Sequence, residues 1–477
     1  MSNSTDTLAR QRILSLLDEK SFMEIGSLVT ARSTDFNLAQ TETPSDGVIT
    51  GYGLIDGNLV YVYSQDTNVL NGTIGEMHSR KISALYDMAL KMGAPIIGLI
   101  DCAGIRLQES VDALHGFGEI YNKQVMASGV IPQICAVFGN CGGGLSVMTA
   151  LSDFTYIENN GKVFVNSPNA ILGNSKEKCD TSSAKYQSSN TGFVDGIGST
   201  EEILTQIREL VCMLPGNNEQ GGCEEECQDD LNRICEGIRG RKGDTAALLS
   251  QISDDYMFVE TKKDYAKEMV TGFIKLNGMT IGAVANRTEV LGEEGNVSEK
   301  MEAALTVRGC NKAAEFVTFC DAFDIPVLSL TNVEGFVASM GAEKGLARAM
   351  ARMTQAFAGA TVPKVNILIG NAYGSAYVIM NSKAIGADMV YAWDSAKVGM
   401  MDAKLAAQIM YEKDGAAVIE EKAKEYEALQ TNVLSAARRG YVDLIIEPEG
   451  TRKYAVAAFE MLYTKCVDEP VKKHGAK

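Results

Sequence analysis

Apolar positions along this chain follow two alternating spacings. Ile82, Leu85, Ala89 and Met92 recur every three to four residues, which lines one face of a helix. The run that follows, Pro95-Ile96-Ile97-Gly98-Leu99-Ile100, is short, continuous and rich in β-branched residues, as a strand buried on both faces should be. A polar turn comes next, then a helical stretch over 114–126, an apolar strand over 131–138, and a glycine-rich turn before a further helix over 145–151. This alternation of strand, turn and helix predicts an α/β fold with right-handed crossovers.

The pattern then repeats. Lys81 opens the helical stretch before the first strand, and Lys312 opens a second one before Ile325-Pro326-Val327-Leu328-Ser329-Leu330, a shift of 231 residues. The same shift takes Pro95 to Pro326, Gly104 to Gly335, Pro132 to Pro363, Gly139-Asn140 to Gly370-Asn371, Gly143 to Gly374 and Val147 to Val378. Upstream, Thr50-Gly51-Tyr52 with Gly57 matches Thr271-Gly272-Phe273 with Gly278, and residues 13–18 match 248–253. A register held on glycines and prolines marks an internal duplication. The segment 215–243 is glycine-rich and acidic and separates the copies. The expected domains are 1–235 and 236–477.

Each copy carries two turns at the ends of its apolar strands, where α/β folds usually bind ligands. The first pair contains Cys102-Ala103-Gly104-Ile105-Arg106 and Cys141-Gly142-Gly143-Gly144-Leu145; the second contains Val333-Glu334-Gly335-Phe336 and Ala372-Tyr373-Gly374-Ser375-Ala376. Backbone N–H groups at a helix start are unpaired, and glycine lets a ligand come close to them. Two such groups aimed at one point form an oxyanion hole. Three readings stay open on the residues alone: stabilisation of an enolate, binding of a phosphate, and structural turns. Neither turn has a Gly-x-Gly-x-x-Gly dinucleotide pattern or a Gly-Lys-Ser/Thr phosphate loop.

Composition narrows the classes. The net charge of −17 argues against a general nucleic-acid binder. No run approaches 18 apolar residues, so no membrane insertion is expected, and the first residues lack a signal-peptide pattern. Eleven cysteines, mostly scattered, fit a reduced, cytoplasmic protein. Cys212, Cys223, Cys227 and Cys235 cluster loosely in acidic sequence, and free thiols are the expectation there rather than a zinc site.

Further segments carry a resemblance over nearly the whole chain. Gly75-Glu76-Met77-His78 with Lys81, Gly93-Ala94-Pro95, Arg106-Leu107-Gln108-Glu109, Gly118-Glu119-Ile120, Ala360-Thr361-Val362-Pro363-Lys364, Ala372-Tyr373-Gly374, Asn381-Ser382-Lys383-Ala384 and Gly386-Ala387-Asp388 occur in order. Together they resemble the carboxyltransferase subunits of biotin-dependent acyl-CoA carboxylases and decarboxylases, of the propionyl-CoA and methylmalonyl-CoA type. The resemblance implies two tandem crotonase-like domains and a homodimer or hexamer. It implies biotin on a separate carrier protein, with biotin carboxylase or decarboxylase subunits as partners and a coenzyme A thioester as substrate. The N-terminal domain would take the acyl-CoA and the C-terminal domain the biotin. In that scheme Gly143 and Gly144 hold the thioester enolate with Gly104 nearby, and Gly374, Ser375 and Ala376 hold the biotin oxygen with Gly335 nearby.

Three departures stand out. The family commonly has two glycines and an alanine before the arginine where this chain has Ala103-Gly104-Ile105, a proline where it has Glu334, and a glycine where it has Ser375. Ser375 keeps its backbone N–H, and Glu334 is read as a solvated loop charge. Arg80, Lys81 and Arg106 are candidate contacts for coenzyme A phosphates or else ordinary charges of the fold, and Val378 is a candidate for the acyl pocket. Of the histidines, His474 lies in the tail, His115 follows the first turn, and His78 is expected to be structural. Ala89-Leu90-Lys91-Met92 resembles a biotin attachment site but ends a helix, whereas a biotinyl lysine needs an exposed hairpin. The alternatives kept beside carboxyl transfer are the transferase subunit of a sodium-pumping decarboxylase and a non-catalytic acyl-CoA-binding scaffold.

Overall fold

The computed structural model describes residues 7–220, 226–292 and 295–467. It divides into two compact units, Met1–Gly221 and Gly222–Lys477. The division falls inside the acidic segment expected to separate the copies. The stretch just before residue 236, grouped by the sequence with the first domain, is fastened to the second unit. Arg233 pairs with Asp229 at 2.9 Å, the buried Arg452 binds Asp254 at 2.6 Å and donates to the Asp230 carbonyl at 3.1 Å, and Cys235 lies in the second core.

In the first unit β1 (Met23–Ile25), β2 (Val48–Ile55), β3 (Asn58–Gln65), β4 (Ile96–Cys102), β5 (Gln133–Gly142), β6 (Phe154–Glu158), β7 (Lys162–Phe164) and β8 (Gly196–Gly198) form one sheet. Its order is β1-β2-β3-β4-β5-β6-β8, with β7 also on β5. The hairpin end is antiparallel and the rest parallel. Helices α1 (Leu8–Leu16), α2 (Glu76–Met92), α3 (Ser110–Ala127), α4 (Gly144–Ala150), α5 (Leu172–Glu177), α6 (Ala184–Asn190) and α7 (Thr200–Met213) complete the unit.

The second unit repeats the plan. Its main sheet uses β9 (Phe258–Thr261), β10 (Met269–Leu276), β11 (Met279–Asn286), β15 (Val327–Val333), β17 (Lys364–Tyr373), β18 (Met389–Trp393), β19 (Lys397–Gly399) and β20 (Leu444–Ile446). The order from β9 to β20 mirrors that from β1 to β8, with β19 on β17 as β7 is on β5. Two small pairs lie apart: β12 (Glu289–Leu291) with β13 (Val297–Lys300), and β14 (Ala304–Leu305) with β16 (Gly335–Phe336). Helices α8 (Thr245–Ile252), α9 (Val307–Ala322), α10 (Met340–Glu343), α11 (Leu346–Gly359) and α12 (Gly374–Ile379) follow the same plan, with further helices beyond.

The duplication shows in the backbone itself. Gly143 and Gly374 have φ of 60° and 59°, and the hairpin turns Asp56-Gly57 and Asn277-Gly278 share positive φ at both positions, the signature of a tight turn between twisted strands. The matched prolines act alike: Pro95 and Pro326 accept from Tyr61 and Gly282, and Pro132 and Pro363 accept from Ile96 and Val327, through their carbonyls. Ile82, Leu85 and Ala89 of α2 pack with Phe117 and Ile120 of α3 in one core with Ile96, Ile100, Cys135 and Val137. Met92 is the exception among the spaced apolar positions. It is exposed, because Gly93 ends the helix in the left-handed conformation just beyond it.

Lys81 and Lys312 do the same structural job in the two units. Each is buried and reaches across to main-chain carbonyls of an irregular segment preceding a hairpin. Lys81 donates to Ser45 and Val48, and Lys312 donates to Lys262 and Tyr265 at 2.9 Å each. Burial pulls both ammonium groups down from the usual lysine range, to about 8 for Lys81 and about 7 for Lys312. Replacing Lys312 with Met removes the donor to two part-buried carbonyls and the amine that faces Glu260. Lys312→Met is expected to lower unfolding stability by about 2–4 kcal/mol in urea titrations at neutral pH; an unchanged midpoint and slope would show that the lysine is not a clamp.

Candidate functional site

The two turns of each unit are brought together by parallel pairing. Cys102 of β4 pairs with Cys141 of β5, which sets the loops around Gly104 and Gly143 side by side at the strands' carboxyl ends. Val333 of β15 pairs with Ala372 of β17 and does the same for Gly335 and Gly374. Each pairing crosses an irregularity in the register just before the turn.

In the first site Gly143 is the hinge. Its φ is 60° with ψ −125°, and α4 begins at Gly144. The Gly143 N–H donates to the Phe164 carbonyl at 2.9 Å, and the Gly143 carbonyl accepts from the Ser146 N–H at 3.1 Å and from its hydroxyl at 2.6 Å. Gly143 therefore shapes the turn, with its own N–H spent on β7. The N–H groups left without an intrahelical acceptor are those at the start of α4, Gly144 and Leu145. A Cβ at Gly144 would lie 2.7 Å from the Tyr121 hydroxyl. Gly104 has φ of 114° with open space around it, so conformation and not crowding requires glycine there. Its N–H and carbonyl both lie 3.3 Å from the Cys102 sulfur.

The second site has the same frame with different fittings. Gly374 opens α12, and a Cβ there would meet the Met400 carbonyl at 3.2 Å. Ser375 and Ala376 supply the next N–H groups of α12, and Val378 lies one turn on, partly exposed. Gly335 lacks the positive φ of Gly104 and sits in β16. Glu334 is exposed, and its carboxylate accepts from the Asn371 side chain at 2.7 Å. Lys242 faces the same corner: burial lowers its ammonium from the ordinary value, and Glu334 opposes that.

The three candidate cations separate sharply. Arg106 is 1% exposed, and its guanidinium binds Asp46 at 2.7 Å, Glu109 at 2.8 Å and the Thr73 carbonyl at 2.9 Å. Lys81 is saturated by carbonyls as described above. Both candidate phosphate contacts are thus internal braces of the unit. Arg80 is the exposed one, and it shares Glu76 with Arg32. Residue spacing carries no sign of the Asp46–Arg106 pair, sixty positions apart. Burial raises the Asp46 carboxyl from its usual value, with Arg106 pulling against it.

His78 belongs to the same brace. It is fully buried, its Nδ1 faces the Asp46 carbonyl at 3.0 Å, and its Nε2 faces the Gln65 amide nitrogen at 3.2 Å. A carbonyl can only accept, so Nδ1 carries the proton and Nε2 accepts from Gln65. The ring is neutral, and burial first, then the Arg106 charge, hold it well below the ordinary histidine value. His115 is exposed beside Glu119, and His474 lies outside the described residues. Cys212 belongs to α7 of the first unit, beside Asp56, whereas Cys227 and Cys235 belong to the second unit; Cys223 lies outside the described residues.

Comparison with known proteins places this geometry. A family model described as the carboxyl transferase domain matches residues 3–476. The chain is 38% identical to a propionyl-CoA carboxylase beta chain of Roseobacter denitrificans, covering 98% of this chain and 92% of that one. It is 37% identical to the methylmalonyl-CoA decarboxylase subunit alpha of Propionigenium modestum, with the same coverage. The solved transcarboxylase 12S, a hexamer with hydrolysed methylmalonyl-coenzyme A bound, superposes with a TM-score of 0.90 at 35% identity, over 98% of this chain and 92% of that one. The chain belongs to the carboxyl transferase family and is an enzyme of tandem crotonase-like domains. Among the described residues no helix is long and apolar enough to cross a membrane.

The His78 contacts generate a pH prediction. The unfolded chain takes up a proton at this histidine below about pH 6.5 and the folded chain does not. Stability is therefore retained above that pH and falls as pH drops through it, by about 1.4 kcal/mol per pH unit for one proton. His78→Gln removes that proton from the balance. Urea titrations between pH 5 and pH 8 should give a shallower acid-side slope for the variant; equal slopes would mean that His78 charges in the folded protein.

Proposed function

We propose, from the chain's membership of the carboxyl transferase family, that it moves a carboxyl group between carboxybiotin on a separate carrier protein and the α-carbon of a short-chain acyl-CoA of the propionyl/methylmalonyl type. The observation that carries this reading is the duplicated glycine turn, built twice on parallel strand ends with backbone donors at each. When bound, biotin supplies the carboxyl group and the base for the α-proton. The protein's part is to hold two oxygens on which negative charge develops. The donors of the first turn, at Gly144 and Leu145 beside the Gly104 loop, suit the thioester oxygen of the enolate. Those of the second, at Ser375 and Ala376 with Gly374 as hinge, suit the biotin oxygen. The serine at 375 leaves the main-chain N–H intact, and neutral amides fit an oxyanion without carrying charge of their own. Arg80 is the candidate cation open to a phosphate of coenzyme A.

The partners of this reading are the biotin carrier and the carboxylase or decarboxylase subunit that loads or unloads it, around a homodimer or hexamer. The reverse direction of flux is a second reading, favoured by the 37% identity to a decarboxylase alpha subunit. Both directions share one half-reaction, so one assay addresses them. Methylmalonyl-CoA should support carboxylation of free biotin, with malonyl-CoA and longer analogues slower. Gly144→Ala should lower kcat by about 10² through loss of the donor geometry, because the added carbon meets the Tyr121 hydroxyl. Absence of turnover with every short acyl-CoA, alongside an active carrier, would sink the proposal. Tight acyl-CoA binding without exchange would point to a scaffold instead.

A further inference from the structure

Both main-chain polar groups of Gly143 and the carbonyl of Gly144 in the first glycine turn are engaged. Gly143 is held at both ends by Phe164 and Ser146. The Gly144 carbonyl also accepts from the Tyr121 hydroxyl at 2.7 Å. Tyr121 projects from α3, where its ring packs against Phe117 at 5.8 Å between centroids. Three residues further along α3, Gln124 donates to the Met148 carbonyl at 2.8 Å. Two side chains one turn apart on α3 therefore grip two carbonyls one turn apart on α4. Gln124 is buried at the far end, and Tyr121 stands at the turn itself, partly exposed.

The second unit lacks the tyrosine of this grip and keeps a glutamine, Gln355, at the position of Gln124. The shift of 231 takes Tyr121 to Arg352, which is exposed on α11, and Gly144 to Ser375. At 144 any side chain would strike the Tyr121 hydroxyl, whereas at 375 a side chain is present. The tyrosine and the glycine go together in one unit and are both absent from the other. Burial pushes the Tyr121 hydroxyl above its ordinary value, so it stays protonated and donating at neutral pH.

We propose that Tyr121 is a positioning residue of the first turn: its hydroxyl fixes the Gly144 peptide, and through it the aim of the turn's free N–H groups at the thioester oxygen. The link to turnover rests on the reading of this turn as the acyl-CoA site. A carbonyl and the N–H of the next residue share one rigid peptide plane. Anchoring the Gly144 oxygen therefore anchors the Leu145 N–H on the opposite edge. A donor set that is fixed before charge develops loses nothing to reorganisation at that moment.

Tyr121→Phe in the full chain tests this, since it deletes one oxygen and keeps the ring. Amide hydrogen exchange without substrate is read over residues 142–150, and should be about tenfold faster in the variant with an unchanged melting temperature. In methylmalonyl-CoA-dependent carboxylation of free biotin, kcat should fall about tenfold while the KM for biotin is unchanged. Unaltered exchange over 142–150 overturns the positioning role whether or not the enzyme turns over. Faster exchange with wild-type kcat overturns the link to catalysis. An inactive wild-type protein instead counts against the acyl-CoA reading, and the exchange result stands apart from it. A fall in kcat matched by an equal rise in the biotin KM and a lowered melting temperature marks general loosening and also overturns the proposal.

Discussion

The parallel register between β4 and β5, repeated between β15 and β17, is the constraint on which both sites depend. Parallel strands end at the same edge of the sheet, so the loops that leave them emerge together. Cys102 beside Cys141 and Val333 beside Ala372 are the last matched pairs before the chains part. The irregularity in each register lets the second strand run on to its own short edge partner, β7 or β19. That extra pairing explains why the Gly143 N–H is taken. It completes the ladder to Phe164, and the donors left over shift one residue along, into α4.

Around that shared frame the two copies keep what holds the backbone and vary what meets a ligand. The clamps are retained: a buried lysine on the helix before the strand, prolines whose carbonyls extend the ladders, and a left-handed glycine at the hinge. The fittings differ. Gly104 takes a positive φ and Gly335 does not, and Gly144 faces a tyrosine where the second unit has Ser375 and, at the matching helix position, Arg352. The corner occupied by the Arg12–Asp101 ion pair in the first unit has neutral Asn332 in place of the aspartate in the second. Duplication followed by divergence of this kind yields two turns of one design, which the proposed function assigns to two different oxygens.

Much of the fold was legible from spacing because it is periodic or repeated. The helices, the buried strands, the duplication and the glycine hinges all leave local marks, since only certain residues tolerate those conformations. The division of labour within the first turn was not legible. Gly142, Gly143 and Gly144 read alike in sequence, and only the position of Phe164, some twenty residues away, tells which N–H is free. The cations stayed open between a phosphate contact and a charge of the fold for a related reason. Arg106 and Lys81 look like solvent charges until Asp46 and the carbonyls of the segment before the hairpin, far off along the chain, close around them. Long-range neutralisation has no spacing rule, so neither the Asp46–Arg106–Glu109 brace nor the anchoring role of Tyr121 could be read ahead of the structure.

The buried brace also limits what the site's chemistry can depend on. Arg106, Asp46, Glu109, His78 and Lys81 lie behind the turn as packing, with their polar atoms directed at one another and at the main chain. What the turns offer a ligand is backbone N–H, which does not titrate and has no side-chain freedom to lose. Its usefulness rests on aim alone, and aim is set by the groups that bind the turn's carbonyls and spent amides. A site of this kind tolerates changes of charge at its margin, as at Glu334, far better than changes of shape beneath it. The critical residues are then the small and buried ones: the glycine that permits the hinge, the carbonyl that takes its N–H, and the side chain that holds the next peptide in place.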